Sequence, residues 1–168
     1  MDQSIDSLTL DIFAKVTHEI GNHFALTHLI GYTERWRQKM LRIEADQMPP
    51  EMTAYAVSLA DCDLVCTHPA LSTTQRQVAI LHEIAHLIRF DIPRVPPSDK
   101  LTYQLFIQRR DRHRDTLTDP IIHRRSRFFN RADDPREASA ERLARMFMHC
   151  IVTYEASDIA NRVYGLQP

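Results

Sequence analysis

The sequence predicts an α+β domain that is mainly helical, with a small sheet of two or three strands beside its central helix. Apolar residues recur at helical spacing near both ends and in the middle of the chain, whereas β-compatible residues cluster in one stretch, 54–67. The chain has 168 residues, 43% of them hydrophobic, which is enough to bury one core. We therefore expect a single domain that spans residues 1–168.

The first predicted element is an amphipathic helix over about 8–29. Its apolar residues recur every four positions and form one stripe, namely Leu8, Ile12, Val16, Ile20 and Phe24. Gly31 offers a stop after this helix. The prolines at 49 and 50 must end any helix that occupies 33–43, because proline cannot continue a helix.

The middle of the chain predicts strands followed by helices. Two short strands that could pair as a hairpin are expected within "AYAVSLADCDLVCT" at 54–67. Ser72 and the threonines after it supply capping hydroxyls for an apolar helix, which the prolines of "DIPRVPP" end at about 90. Residues 98–113 are a further candidate helix, with Leu101 and Leu105 on one face.

The last predicted helix begins near 135. Asp134 suits the N-cap, Pro135 suits the first helical position, and Glu137 follows three residues after the cap. Before this helix, residues 94–136 carry 11 Lys and Arg against 6 Asp and Glu. We treat this segment as a basic insert and expect an irregular connection in its last part, "HRRSRFFNRADDPRE".

The composition favours a cytoplasmic protein. The N terminus lacks the basic region and the apolar core of a signal peptide, and no stretch is long and apolar enough to span a membrane. Three cysteines at no disulfide-framework spacing are most simply reduced thiols. Only three glycines are present, none in a phosphate-loop pattern, so we do not expect a nucleotide cradle.

Two similar phrases contain His-Glu-Ile followed by a second histidine, "THEIGNHF" at 17–24 and "LHEIAHLI" at 81–88. A helix turns about 100° per residue, so His82 and His86, four residues apart, point to one face. His18 and His23 are five residues apart and would point about 140° apart on a regular helix. Only the second phrase therefore predicts a metal site, with Glu83 placed to reach a metal-bound water.

A catalytic zinc ion usually has three protein ligands, so a third is expected. The spacing HxxGxxH is absent, because positions 89 and 92 are Arg and Ile. Glu137 and Glu141 share one face of the last helix, so one could bind zinc while the other accepts a hydrogen bond from a ligand histidine. Spacing does not choose between them, because Glu137 could instead complete a capping box and Glu141 could pair with a nearby arginine.

The stretch "LSTTQRQVAILHEIAHLI" at 71–88, together with the pattern ExxAxxLA at 137–144, resembles the ImmA/IrrE-type zinc metallopeptidases. These form a gluzincin-like family of small cytoplasmic proteins. The sequence is most similar to the compact forms encoded near helix-turn-helix regulators, which it also resembles in "LADCDLVCT" and "RSRFF". The resemblance covers about 54–90 and 124–148. The chain departs from the family at Ala85, where glycine is usual, and at "FMHC", where "LLMP" often follows.

The resemblance implies a zincin-like fold, a zinc ion and a role for each candidate residue. His82, His86 and Glu137 would bind zinc, Glu83 would be the general base, and Glu141 would orient a ligand histidine. The implied activity is a zinc-dependent endopeptidase that acts on a protein or peptide, such as a helix-turn-helix regulator or a toxin–antitoxin-type partner. Candidates for the group that stabilises the oxyanion are Tyr103, His113, His123, His149 and Tyr154.

Two other functions stay open on the sequence. The first is an interaction protein that contains zinc but performs no catalysis. The second is a nucleic-acid-binding module that uses the arginines of the basic insert for phosphate contacts, namely Arg109, Arg110, Arg112, Arg124 and Arg125. Aspartates interspersed among these arginines favour an ordinary solvated surface instead.

Overall fold

The computed structural model describes residues 3–50, 52–112 and 134–164. Five helices and one three-stranded sheet occupy these residues, which confirms the mainly helical α+β class. No helix among the described residues is long and apolar enough to cross a membrane.

The N-terminal part forms two helices, so the prediction of one helix over 8–29 is wrong. Helix α1 (Gln3–Ile20) ends at Gly21, whose φ of +89° is a conformation that glycine adopts without a steric penalty. Helix α2 (Leu26–Arg37) follows and contains Gly31 in its interior rather than at its end. The predicted apolar stripe continues across this break, because Ile12, Val16 and Phe24 are all buried.

The sheet has the strand order β1-β3-β2. Strands β2 (Ala54–Ser58) and β3 (Cys62–Thr67) pair in the antiparallel sense, which confirms the predicted hairpin. Strand β1 (Met40–Ala45) pairs in parallel with β3 and occupies part of the stretch 33–43, for which the sequence left a helix open. The helix ends earlier, at Arg37, and Gln38 takes a left-handed conformation that turns the chain into the strand.

Helix α3 (Thr73–Ile88) begins as predicted. The Ser72 hydroxyl accepts a hydrogen bond from the Gln75 amide at 3.3 Å, and the Gln75 side chain accepts one from the Ser72 amide at 3.0 Å. This reciprocal pair is a capping box, which satisfies two backbone donors that the first turn of a helix leaves open. Helix α3 therefore has a defined start, nearly three turns before the first histidine of "HEIAH".

Helix α4 (Tyr103–Arg112) is shorter than the predicted 98–113, and its buried face is centred on Phe106. Leu105 is exposed and Leu101 precedes the helix, so the face predicted from these two leucines is wrong. Phe106 packs in a smaller core cluster with residues of β2 and β3. Most of the irregular connection predicted for 123–137 lies outside the described residues, and its end, from Pro135, is helical.

Helix α5 (Pro135–Tyr164) packs along α3, and the two helices form the centre of the main core. The Asp134 carboxylate accepts a hydrogen bond from the Arg136 amide at 2.9 Å, as expected of the residue that caps this helix. Leu81, Ile84 and Leu87 of α3 are fully buried in the same cluster as Leu143 and Phe147 of α5. This packing places the first turn of α5 beside the second half of α3, where the candidate histidines lie.

Candidate metal centre

His82 and His86 occupy one face of α3, one turn apart. Their Nε2 atoms lie 3.1 Å from each other, and their ring centroids are 4.7 Å apart. His86 is buried and His82 is half-buried, so both rings are partly withdrawn from water. The four-residue spacing thus does what helical geometry predicts and directs two nitrogen atoms at one point.

Glu137 reaches the same point from the first turn of α5. Its Oε2 lies 3.2 Å from Nε2 of His82, and its Oε1 lies 3.3 Å from Nε2 of His86. The cap of α5 is formed by Asp134, so the Glu137 carboxylate is directed at the histidines rather than at the helix start. Of the two glutamates that spacing left open, Glu137 is the one whose carboxylate meets both Nε2 atoms.

Each histidine also has a carboxylate at its other nitrogen. Nδ1 of His82 lies 3.5 Å from Oε2 of Glu141, and Nδ1 of His86 lies 3.0 Å from Oδ2 of Asp91. The pairing of Glu141 with an arginine is present, because its Oε1 accepts hydrogen bonds from Arg145 at 2.9–3.0 Å, whereas its role in orienting His82 stays a prediction. Sequence reasoning missed Asp91, although an acidic residue just past the end of the motif helix was a signal available in the sequence.

Asp91 is brought under His86 by the turn that ends α3. Phe90 has a φ of +57°, the Phe90 amide donates to Leu87 O at 3.1 Å, and the Asp91 amide donates to His86 O at 3.0 Å. These two bonds define a Schellman motif, with phenylalanine at the left-handed position that glycine usually occupies. The Asp91 carboxylate also accepts a hydrogen bond from Arg89 Nε at 3.0 Å, which holds it in place.

The donor set fits a divalent cation such as zinc. Carboxylate acceptors at both Nδ1 atoms favour the tautomer with the proton on Nδ1, which leaves a lone pair on each Nε2. Two lone pairs and the Glu137 carboxylate then converge, with the ligand atoms within 4.8 Å of one another. Tetrahedral zinc with bonds of about 2.0–2.2 Å separates its ligand atoms by roughly 3.4 Å. The contacts of 3.1–3.3 Å lie close to that spacing.

The pKa shifts show how strongly this site favours positive charge. Burial lowers the pKa of His86, but its hydrogen bonds to Asp91 and Glu137 outweigh burial and raise the pKa to about 10. Burial raises the pKa of Glu137, but hydrogen bonds from both histidines outweigh it and lower the pKa to about 2. Protons on the rings and a metal ion relieve the same repulsion between lone pairs, so they compete for this site.

Glu83 lies next to the three converging groups without being one of them. Its side chain is buried, and the backbone N–H of Ala56 in β2 is a hydrogen-bond donor to it. Burial raises the pKa of Glu83 and outweighs the opposing effect of His86 and His82. A carboxylate with a raised pKa is a stronger proton acceptor, which is the property that a general base requires.

The other histidine phrase and the oxyanion candidates that the structure describes are not part of this cluster. His18 and His23 are both exposed, and the end of α1 at Ile20 separates them. The Tyr103 hydroxyl donates a hydrogen bond to Glu44, the Tyr154 ring contacts His28, and His149 is exposed. His113 and His123 lie outside the described residues.

Part of the basic insert is also described. Arg110 of α4 is half-buried and forms ion pairs with Asp46 at 3.6 Å and Glu44 at 3.9 Å, both near the end of β1. These acidic residues join α4 to the sheet, which gives Arg110 a structural role. The side chain of Arg112 and the whole of Arg124 and Arg125 lie outside the described part of the chain.

The chain was compared with protein-family models, with curated proteins and with solved structures, and none of the three comparisons finds a match.

Proposed function

We propose that this chain is a zinc-dependent endopeptidase whose zinc ligands are His82, His86 and Glu137. The observation that carries the proposal is the convergence of two imidazole nitrogens and one carboxylate beside the buried Glu83. Two histidines and one carboxylate are a usual ligand set for catalytic zinc, and they leave a coordination position open. The resemblance of the two helices to the ImmA/IrrE-type peptidases supports the same assignment.

Different side chains of this protein would have different roles in the reaction. When bound, zinc supplies Lewis acidity toward a water molecule and a carbonyl oxygen. Glu83 accepts a proton from the attacking water and delivers it to the nitrogen of the departing amine. Asp91 and Glu141 hold the Nδ1 protons of His86 and His82, which fixes the orientation of both rings.

A peptide in extended conformation could bind beside strand β2. This strand lies at one edge of the described sheet, and Ala54 at its start lines the same cavity as His82 and Glu83. Ala54 is partly exposed whereas the other four residues of β2 are buried, so an added strand would form its backbone hydrogen bonds at this end of β2. By the same resemblance, the substrate would be a cytoplasmic protein, such as a helix-turn-helix regulator or a toxin–antitoxin-type partner.

Substitution of Glu83 by Gln separates the peptidase from a zinc-containing interaction protein. A general base that is not a metal ligand can be removed while zinc binding persists, so Glu83→Gln should keep one equivalent of zinc and lose hydrolysis. Glu155→Gln is the matched control, because Glu155 is exposed on the far part of α5. Purified protein with zinc is incubated with a denatured protein such as casein and with candidate regulators, and fragments are identified by mass spectrometry. Cleavage that persists in Glu83→Gln would refute the proposal.

A further inference from the structure

A cavity of about 400 Å³ opens beside the candidate metal centre. His82, Glu83 and Glu141 line it on the side of the metal centre. Its apolar lining comes from the loop before α3, from α3 itself and from the start of β2, and includes Leu71, Val78, Ala79 and Ala54. A group bound in this cavity would therefore lie in direct reach of the proposed general base.

Val78 gives this cavity an exposed apolar surface. It lies one turn before His82 on α3 and is 42% exposed, although valine is an apolar residue. Val78 and Glu141 also line a second cavity, of about 140 Å³, whose apolar lining includes Ala144 and Met148 of α5. The two cavities thus share a wall, and an apolar surface extends along α3 and α5 past the metal centre.

We infer that the larger cavity binds an apolar side chain of the peptide substrate, next to the bond that is cleaved, and that Val78 selects this side chain. The inference rests on the peptidase proposed above and adds the substrate preference of the same site. A cavity of about 150 Å³ is enough to hold a benzene ring, so a cavity of about 400 Å³ has room for a leucine or phenylalanine side chain. Covering Val78 would remove its exposed apolar surface from water.

The charged groups among the described lining residues do not favour a basic side chain. Glu141 is already paired with Arg145 and with His82, at 2.9 Å and 3.5 Å. Glu83 is buried, and the two histidines lie beside it. Their negative charges are thus matched within the protein. The rest of the described lining is uncharged and consists of the apolar surface around Val78 and the polar side chains of Thr53, Thr74 and Gln75.

Binding of short peptides tests the inference without requiring hydrolysis. The probes are dye-labelled peptides Ala-Ala-Xaa-Ala-Ala, in which Xaa is Leu, Phe, Glu or Lys, and fluorescence anisotropy measures their binding to Glu83→Gln protein with and without zinc. Burial of a large apolar side chain should favour the Leu and Phe peptides about tenfold or more. Equal affinities for the four peptides, or no binding of the Leu and Phe peptides, would overturn the inference.

Two opposite charges introduced at Val78 show whether this residue makes the selection. In the Glu83→Gln background, Val78→Asp should shift the preference toward the Lys peptide and Val78→Lys toward the Glu peptide. General damage to the fold cannot produce opposite shifts. Val152→Asp is the matched control, because Val152 is an exposed valine on α5 outside the described lining of both cavities, and it should keep the preference for Leu and Phe. The same preference in both Val78 variants would contradict the inference.

The failure of the inference can be told apart from the failure of the proposed function. If the wild-type protein cleaves a peptide library without preference for apolar residues beside the cleaved bond, the inference is refuted but the proposed peptidase activity stands. If the protein binds the Leu and Phe peptides selectively but hydrolyses none of the peptides and proteins offered, the proposed peptidase activity is refuted. The cavity then stands as an apolar binding site.

Discussion

Nδ1 of His86 lies 3.0 Å from Oδ2 of Asp91, five residues later in the chain. The contact depends on the left-handed conformation of Phe90, which reverses the chain at the end of α3. The buried guanidinium of Arg37 supports this turn from α2, because it donates to Ile92 O at 2.9 Å and lies 5.1 Å from the Phe90 ring. The orientation of one candidate zinc ligand is thus linked to the packing of α2 against the end of α3.

Asp91→Asn should weaken zinc binding while the fold persists. The amide is the same size as the carboxylate but lacks its charge, so it accepts the Nδ1 proton less strongly and leaves His86 a poorer ligand. Loss of such an acceptor typically costs about 10–100-fold in metal affinity. Competition with a chromogenic zinc chelator measures the affinity. Asp11→Asn, at an exposed position of α1, is the control, and an unchanged affinity in Asp91→Asn would show that this carboxylate does not support the site.

Zinc should stabilise the wild-type protein against unfolding. A ligand that binds only the folded state, at a free concentration of 100 times its Kd, adds about 2.7 kcal/mol to the free energy of unfolding. Thermal melts with zinc and with EDTA measure the effect, which should be lost in His86→Ala and in Glu137→Ala. His23→Ala should keep it, because His23 is exposed and belongs to the other His-Glu-Ile phrase. Equal stabilisation of all four proteins would refute the ligand set.

The geometry of the candidate metal centre was largely predictable because most of it is local. The spacing of His82 and His86 fixes their common face on any regular helix, and a capping box sets where that helix begins. The position of Glu137 depends on the packing of α5 against α3, and sequence spacing alone did not distinguish Glu137 from Glu141 as the third ligand. The sequence places an acidic residue just past the motif helix, but the contact of Asp91 with His86 depends on a left-handed phenylalanine and on a buried arginine from another helix, which helical spacing does not reveal.

The errors in the fold prediction have the same physical origin, namely that the features concerned depend on more than local spacing. The predicted apolar stripe is largely buried from Ile12 to Phe24 although Leu8 is exposed, and its spacing does not reveal that Gly21 interrupts the helix. Strand β1 is recognisable only through its parallel partner β3, where Met40 faces Cys62 in the register. Parallel pairing joins residues far apart in the chain, so short-range periodicity carries no information about it.

Arg37→Met should destabilise the protein strongly. The Arg37 Nε and Nη2 atoms contact the two oxygens of Asp63 at 2.7 Å and 3.2 Å, and both side chains are buried. Methionine keeps much of the volume but leaves the Asp63 charge without this partner, which costs about 3–5 kcal/mol. Urea denaturation measures the change. Arg35→Met is the control, because Arg35 pairs with Glu19 at the surface and such pairs contribute at most about 1 kcal/mol. Similar losses in the two variants would contradict the buried-pair argument.

Alanine at the two N-terminal glycines should change stability in opposite directions. Gly21 has a φ of +89°, so a Cβ atom there adds strain, of about 1–2 kcal/mol for a left-handed residue. Gly31 lies inside α2, and a Cβ atom built there meets its nearest side-chain atom, Nη1 of Arg35, at an ordinary 3.5 Å. Gly31→Ala should therefore raise the free energy of unfolding by roughly 0.5–1 kcal/mol, because alanine restricts the unfolded chain more than glycine does. Urea denaturation of both variants measures the change in the free energy of unfolding, and hence its sign, for each substitution. If the chain formed one helix through residue 21, as the apolar stripe alone predicts, Gly21→Ala would stabilise the protein as well, so the sign of that single change decides between one helix and two.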